Sequence, residues 1–213
     1  MRKIIITLGF LLFTTTISAQ DTIRFNVNDD AKRDIVTFTS KAPMETIVGK
    51  TAEIVGFINL DLNDIAGSAN AEFEVDLASL KTGIGMRDKD MRNKFLEIDK
   101  YPKAIFKLSK VINADENKLE NGKSVDIQFE GDFTVHGVTK PMSINMTVTY
   151  MRETEETKQR LPGDLIHVVG TFDVLLSDHD IERPKFIILK LDDKQVINLD
   201  LYAYTGVTDQ KME

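Results

Sequence analysis

The chain has 213 residues, of which 42% are hydrophobic and 29% charged, and it contains no cysteine. This composition is that of an ordinary globular protein and excludes disordered, collagen-like and disulfide-stapled chains, together with thiolate metal sites and cysteine nucleophiles. The formal net charge of -7 removes the general electrostatic attraction that favours binding to nucleic acid or to an anionic membrane, so neither partner is expected from overall charge.

The first predicted element is a secretory signal peptide. Two cations, Arg2 and Lys3, precede an apolar run from Ile4 to Phe13, and small or polar residues then lead to Ala19. This order of charge, apolar run and small residue is typical of a cleaved export signal. The apolar run is too short for a membrane span, which takes about 20 residues. We therefore predict removal of residues 1–19, followed by one exported domain over residues 20–213 that does not insert stably into a membrane.

Alternation of apolar and polar residues with a period of two dominates the rest of the chain, and it is clearest from Val125 to Val135. Such alternation predicts strands with one buried face. Turn sequences at Asn121-Gly122, His136-Gly137 and Pro162-Gly163 favour antiparallel neighbours. The pattern indicates an all-β barrel or sandwich, with strands at Thr22–Val27, Ile35–Thr39, Glu53–Leu62, Ala71–Leu77, Ala104–Ile112, Val125–Val135, Met142–Val148, Ile166–Leu176, Phe186–Leu191 and Ile197–Leu201.

One segment has helical spacing. Met91 and Phe95 lie four residues apart, and the pairs Asp88 with Arg92 and Asp90 with Lys94 have the acid-before-base order that supports a helix. A short helix over about Arg87 to Glu97 is predicted, with Met91, Phe95 and Leu96 turned inward. Such a helix either covers an opening of the barrel or serves as a plain crossover.

The polar residues give little support for catalysis. His136, His167 and His179 show no metal-ligand spacing, and we interpret all three as structural or surface residues. The acidic cluster from Asp178 to Glu182 could in principle bind a divalent ion or act as an acid and base. A solvated loop is the favoured interpretation, because nothing in this stretch indicates the concave, desolvated setting that such chemistry needs. No nucleophile elbow, phosphate loop or dinucleotide fingerprint is present. The sequence predicts a protein that is not an enzyme and that has no metal and no cofactor.

The apolar face that the alternation defines is the remaining candidate for a site. A barrel of eight strands is just wide enough either to be filled by its own side chains or to hold one slim ligand, and the periodicity does not separate these alternatives. If a ligand is held, the candidate ligand-binding residues are Val36, Phe38, Phe73, Val75, Met91, Phe95, Phe106, Leu108, Phe129, Phe133, Ile144, Met146, Phe172 and Val174.

Three stretches carry a resemblance to a known family. The segment Thr82 to Phe106, with Arg87-Asp88 and Tyr101-Pro102, resembles the signature of the YceI-like family, and Gly131 to Met142 looks like that family's hairpin. The opening from Ile35 to Asp61 is similar to its first strand, short helical excursion and Gly-Phe strand. The resemblance implies a single antiparallel, lipocalin-like barrel of about eight strands with one or two short helices.

The resemblance also implies a function. It points to an exported, periplasmic or extracellular protein that holds a polyisoprenoid or similar long-chain amphiphile in an apolar channel, with no nucleic-acid partner. Burial of each methylene contributes about 0.8 kcal/mol, so a few isoprene units suffice for binding. The alternative is an exported stress-related or protein-interaction module with a solid barrel core. The oligomeric state is left open, with a homodimer among the options.

Overall fold

The computed structural model describes residues 21–183 and 191–206. The regular structure of the described chain consists mainly of ten strands, which are β1 Ile23–Val27, β2 Ile35–Lys41, β3 Thr46–Thr51, β4 Ile54–Leu60, β5 Asn70–Asp76, β6 Lys103–Ala114, β7 Ser124–Val135, β8 Val138–Met151, β9 Leu165–Leu175 and β10 Lys194–Tyr204. Two short α-helices, α1 Ile65–Ser68 and α2 Gly85–Asp90, accompany them. The structure also has 3-10 turns at Leu77–Ser79, Thr157–Gln159 and Leu176–His179 and a π-helical turn at Met91–Phe95.

All ten strands belong to one antiparallel sheet in the order β1-β4-β5-β6-β7-β8-β9-β10-β2-β3. The sheet closes into an eight-stranded barrel because β1 also pairs with β10, through Asn26 and Tyr204. The same β10 pairs with β2 from Gln195 to Asp200. Strands β1 and β2 therefore cover successive parts of one edge of β10, and the hairpin of β2 and β3 extends the wall at one end.

The apolar phases found by alternation face the barrel interior. Val125 and Ile127 on β7 are 3% and 2% exposed, and Ile144 and Met146 lie beside the same strand on β8. Larger side chains such as Phe73, Phe106 and Phe129 pack against this cluster while keeping part of their surface accessible. The predicted all-β, lipocalin-like barrel is confirmed.

One expectation from the resemblance is wrong. The segment after β2 does not make a helical excursion, because Thr46–Thr51 forms strand β3. This strand pairs with β2, with Thr51 opposite Val36 at one end and Thr46 opposite Lys41 at the other. Its side chains alternate between exposed and buried along all six residues. The β-branched residues Thr46, Ile47, Val48 and Thr51 favour this extended conformation, and pairing with β2 satisfies the backbone.

Two predictions fall on residues that are not described. The signal peptide, residues 1–19, lies outside the described range, and so does almost all of the predicted strand Phe186–Leu191. Within residues 21–183 and 191–206, no helix has the length and apolar character needed to cross a bilayer.

The predicted short helix is present, although its geometry changes along its length. Helix α2 continues directly into a π-helical turn over Met91–Phe95. The backbone N–H of Leu96 donates to the carbonyl of Met91 at 2.9 Å, which is the longer spacing of a π turn. Met91, Phe95 and Leu96 all pack against the cluster around Leu77 and Val135, as the spacing predicts.

Candidate ligand-binding cavity

The barrel encloses a cavity of about 640 Å³. Its volume lies within the range of about 300 to 1,000 Å³ that is usual for small-molecule sites. The interior is therefore not filled by side chains. The alternative function, an interaction module with a solid barrel core, assumed a filled interior.

The structure brings all fourteen sequence-predicted site residues to the wall of this cavity. They come from six strands and from the turn after α2, and they are Val36, Phe38, Phe73, Val75, Met91, Phe95, Phe106, Leu108, Phe129, Phe133, Ile144, Met146, Phe172 and Val174. Their shared position follows from strand alternation, because every second side chain of a barrel strand points inward. Their role as ligand contacts stays a prediction.

Other wall residues were missed by sequence reasoning. Ile54, Ile58 and Leu60 follow the same alternation on β4 and could have been found from it. Ile47 lies on β3 and was lost when that segment was interpreted as helical. Ile65 and Leu119 come from a one-turn helix and a loop, where no periodicity marks the buried side.

Ile65 and Leu119 belong to the wall at one end of the barrel, and each is almost fully buried, at 1% and 5% exposure. The backbone N–H of Ile65 donates to the carbonyl of Asn117 at 3.0 Å, and the Asn117 side chain accepts from Ala66 N–H at 2.7 Å. These bonds attach helix α1 to the loop between β6 and β7. Helix α1 and this loop therefore close the end, which we call the closed end.

Glycines on neighbouring strands make room for large side chains of the wall. A Cβ on Gly49 would lie 2.1 Å from Cε1 of Phe38, its cross-strand partner, and a Cβ on Gly170 would lie 2.1 Å from the sulfur of Met146. Glycine within a strand is typical of such close approach. The ring of Phe38 and the thioether of Met146 therefore lie against the barrel wall, which leaves the centre of the cavity open.

The opposite end of the cavity reaches the surface, and we call it the mouth. The charged residues that the described chain contributes to the wall, Glu45, Arg87, Asp90 and Glu182, lie there. The other wall residues in ranges 21–183 and 191–206 are apolar apart from Thr37, Thr82 and Gln195. The cavity is thus a deep apolar chamber with a polar entrance, a distribution suited to a ligand with a long apolar tail and a polar head.

The Arg87-Asp88 pair of the sequence signature builds this mouth. The buried Asp88 carboxylate accepts hydrogen bonds from the backbone N–H of Thr82 at 2.8 Å and from its hydroxyl at 2.5 Å. The Arg87 guanidinium donates to the Thr82 hydroxyl at 2.8 Å and pairs with Glu45 at 3.1 Å. Arg87 and Asp88 therefore attach α2 both to the loop before it and to the β2–β3 turn.

The pKa of Asp88 reflects this role. Burial acts to raise the pKa of its carboxyl, but the two hydrogen bonds from Thr82 and the nearby Arg92 and Arg87 cations outweigh burial and hold the pKa below its usual range. Asp88 is therefore a carboxylate that stabilises the mouth loop, since it stays charged and fully engaged.

The histidines make structural contacts, in line with their interpretation from sequence. His179 is buried and its Nδ1 donates to the carbonyl of Val138 at 3.0 Å, while Nδ1 of His136 donates to the carbonyl of His179 at 3.1 Å. His167 stacks on Tyr202 and pairs with Asp200 at 2.8 Å. Within the described part of the chain, no three histidine or carboxylate side chains come together as a metal site would require.

A closed antiparallel barrel with an apolar chamber and one polar mouth defines the class of lipocalin-like barrels, which can hold one small ligand inside. Residues 22–203 match the family model of the YceI-like domain. The chain belongs to the YceI-like family.

Curated relatives agree with this assignment. A UPF0312 protein of Vibrio parahaemolyticus is 32% identical over 136 residues, which are 63% of this chain and 65% of the relative. A UPF0312 protein of Pseudomonas savastanoi pv. phaseolicola is 36% identical over 135 residues, which are 63% of this chain and 60% of the relative. The chain thus aligns with slightly less than two thirds of the length of each of these relatives.

Among solved structures, the fold is similar to a polyisoprenoid-binding domain from Saccharophagus degradans, with a TM-score of 0.64 and 16% identity over 85% of this chain and 98% of that domain. It is also similar to BcnA of Burkholderia cenocepacia, with a TM-score of 0.62 and 18% identity over 83% of this chain and 99% of that protein. At these identities the likeness establishes a shared fold.

Proposed function

We propose that this protein binds one long-chain amphiphilic lipid, with the apolar tail in the barrel and the polar head at the mouth. The observation that carries the proposal is the separation of polarity along the cavity. Among the described wall residues, charged groups occur at the mouth, while the chamber behind it presents aromatic, aliphatic and methionine side chains. An apolar tail fits this chamber because the wall there offers few groups that would need a polar partner.

The size of the chamber is consistent with useful affinity. Each methylene transferred from water contributes about 0.8 kcal/mol, so a tail of several isoprene units would offset the loss of translational and rotational freedom on binding. Methionine and phenylalanine side chains supply adaptable apolar surface, which suits a flexible chain more than a rigid ring system. Binding by this arrangement needs no catalytic group.

A polyisoprenoid is our specific proposal for the tail. It is supported by the fold shared with the polyisoprenoid-binding domain of Saccharophagus degradans and by membership of the YceI-like family. The proposal includes a site of action outside the cytoplasm, in the periplasm or beyond the cell, which is supported by the signal-like residues 1–19.

Native mass spectrometry of protein purified without detergent tests the proposal directly. We expect a discrete added mass, released by organic extraction and identified as an isoprenoid by fragmentation. A mass equal to that of the polypeptide alone, together with no binding of a long-chain polyprenol in titration, would overturn the proposal.

Phe129→Trp provides a site-specific test. Phe129 lies on β7 with its ring on the cavity wall. A larger ring would occupy chamber space and displace about two methylenes of the tail, so we expect roughly tenfold weaker polyprenol binding with a melting temperature within a few degrees of the parent.

The matched control is Val169→Trp, which adds the same ring to the exposed outer face of β9. This control should bind polyprenol like the parent. If Phe129→Trp instead costs about 1 to 3 kcal/mol of stability without affecting binding, Phe129 belongs to a packed core and the proposed location of the tail is wrong.

A further inference from the structure

The mouth of the cavity carries apolar side chains that project into solvent. Ile84 and Met86, at the start of α2, are 53% and 79% exposed, and both also line the cavity. Met44, in the turn between β2 and β3, is 79% exposed. The Glu45–Arg87 ion pair at 3.1 Å joins that turn to α2, so the three side chains form one surface, which we call the apolar rim.

Four lysines surround the apolar rim. Lys41 and Lys50 lie on β2 and β3, and Lys81 and Lys89 flank Ile84 and Met86; all four are exposed. Elsewhere on the barrel, most lysines pair with a carboxylate, as Lys107 does with Glu72 at 3.2 Å and Lys110 with Glu130 at 3.0 Å. Among the described residues, six lysines form no ion pair, and the group is Lys41, Lys50, Lys81, Lys89, Lys140 and Lys158. Four of these six therefore concentrate at the rim of a protein whose net charge is negative.

Two of these lysines stand directly opposite one another. The backbone N–H of Lys50 donates to the carbonyl of Lys81 at 2.9 Å, and that of Lys81 donates to the carbonyl of Lys50 at 3.0 Å. Like charges at opposed positions of an antiparallel pair destabilise the pair. The repulsion between Lys50 and Lys81 therefore destabilises the isolated molecule. An anionic surface that faces both ammonium groups would replace this repulsion with attraction.

The carboxylates of α2 and of the β2–β3 turn are engaged by groups other than these four lysines. Glu45 is paired with Arg87, Asp90 with Lys94 at 2.9 Å, and Asp88 is buried against Thr82. The other side of the mouth, after β9, is acidic, with Asp178, Asp180 and Glu182. Among the described residues, the unpaired lysines of the mouth therefore lie on the β3 and α2 side.

We propose that the apolar rim and its four lysines dock the mouth on the surface of an anionic phospholipid bilayer. The lysines face lipid phosphates, while Met44, Ile84 and Met86 enter the boundary between head groups and acyl chains. The acidic side of the mouth tilts away from the membrane. The combination of basic residues with a few projecting apolar side chains is typical of proteins that bind reversibly to membrane surfaces.

The apolar rim is continuous with the cavity wall, and this favours a bilayer over an acidic protein as the partner. Ile84 and Met86 belong both to the apolar rim and to the cavity wall, so a docked membrane would face the entrance of the apolar chamber. This inference deepens the proposed function, since a lipid tail could pass between bilayer and barrel without crossing water.

Vesicle cosedimentation of ligand-free protein tests the docking surface. Vesicles made of equal parts phosphatidylcholine and phosphatidylglycerol should sediment the parent protein at low salt and release it at high salt, and vesicles of phosphatidylcholine alone should sediment little. Because a cation near an anionic membrane contributes about fivefold in affinity, K81Q/K89Q should weaken binding at least tenfold. Its melting temperature should equal or exceed that of the parent, because the repulsion between Lys50 and Lys81 is removed.

The matched control is K118Q/K158Q, which removes two cations from the closed end and should leave vesicle binding unchanged. M44S/M86S should weaken binding to the anionic vesicles while keeping its salt dependence. Equal loss in K81Q/K89Q and K118Q/K158Q, or no salt-sensitive binding by the parent, would overturn the docking surface. Polyprenol titration of K81Q/K89Q without vesicles separates the outcomes, because Lys81 and Lys89 do not line the cavity. Retained titration alongside lost vesicle binding leaves the proposed function standing.

Discussion

At the scale of single residues, the turn between β7 and β8 shows why a particular amino acid is needed. His136 and Gly137 have φ values of 54° and 75°, which is the pattern of a two-residue hairpin turn whose twist matches the strands. A Cβ on Gly137 would also lie 2.5 Å from the ring of Tyr101. The dipeptide alone predicted the turn, whereas the contact with Tyr101 depends on the packed structure.

Gly137→Val should therefore destabilise the fold by about 1 to 2 kcal/mol or more, because a side chain disfavours this left-handed backbone and collides with Tyr101. Chemical denaturation of the purified variant measures the change. Gly85→Ala is the control, since a Cβ there meets nothing within 4 Å. Equal stability of the two variants would show that the turn tolerates a side chain.

Asp29, in the segment between β1 and β2, is a second single residue that stabilises the fold. Its carboxylate accepts from the Arg33 guanidinium at 2.8 and 2.9 Å and from the backbone N–H of Ala31 at 3.0 Å. Burial acts to raise the pKa of Asp29, but these hydrogen bonds and the Arg33 cation prevail and lower it. The charged form thus stabilises the folded state.

Because the pKa of Asp29 is lower in the folded than in the unfolded state, its stabilisation is present above about pH 4 and is lost as the pH falls through the folded-state pKa. Asp29→Asn should cost about 1.5 to 3 kcal/mol at pH 7, with a smaller difference from the parent in acid. Denaturation at a series of pH values measures this trend. Asp30→Asn removes the exposed neighbouring carboxylate and serves as control; a pH-independent cost of Asp29→Asn would contradict the argument.

At the scale of elements, strand alternation predicted the inward residues of most strands but not strand β3. Period-two reasoning works where a strand has one apolar face, as from Val125 to Val135 on β7. On β3 the buried positions are Ile47, Gly49 and Thr51, so the inward face is apolar at one position alone. Its place in the wall depends on pairing with β2 and on the room that Gly49 leaves for Phe38.

Gly49→Ala tests how such glycines keep the chamber open. The added methyl group would occupy the place of the Phe38 ring, which must then turn away from the wall and into the cavity. We expect roughly tenfold weaker polyprenol binding, equivalent to about two methylenes lost from contact. Isothermal titration measures the effect.

The double variant Gly49→Ala with Phe38→Leu should recover most of the affinity, because the smaller side chain no longer needs the space over residue 49. If the double variant binds polyprenol as weakly as Gly49→Ala alone, the weaker binding comes from a change in the backbone of β3 and not from the Phe38 ring.

At the scale of the whole molecule, export remains a prediction that a simple measurement can check. The order Arg2-Lys3, apolar run and Ile17-Ser18-Ala19 predicts that the exported form begins at Gln20. N-terminal sequencing of protein recovered from the cell envelope fraction should give this residue. Retention of Met1 on the envelope-associated protein would contradict cleavage, and a chain with Ala19 replaced by Arg should accumulate uncleaved.

What the sequence alone determined was the local character of the chain: the period of two, the inward phase of most strands, the hairpin turns and the short helix at Arg87. These follow from contacts between residues close in sequence, and they sufficed to place fourteen residues on one surface. The tertiary structure decided the rest. Closure depends on the pairing of Asn26 with Tyr204, far apart in sequence. Whether the interior is open depends on the summed volumes of side chains from every strand, and the position of the mouth depends on where α1 and α2 pack. Such quantities have no local signature, because they arise when the barrel closes.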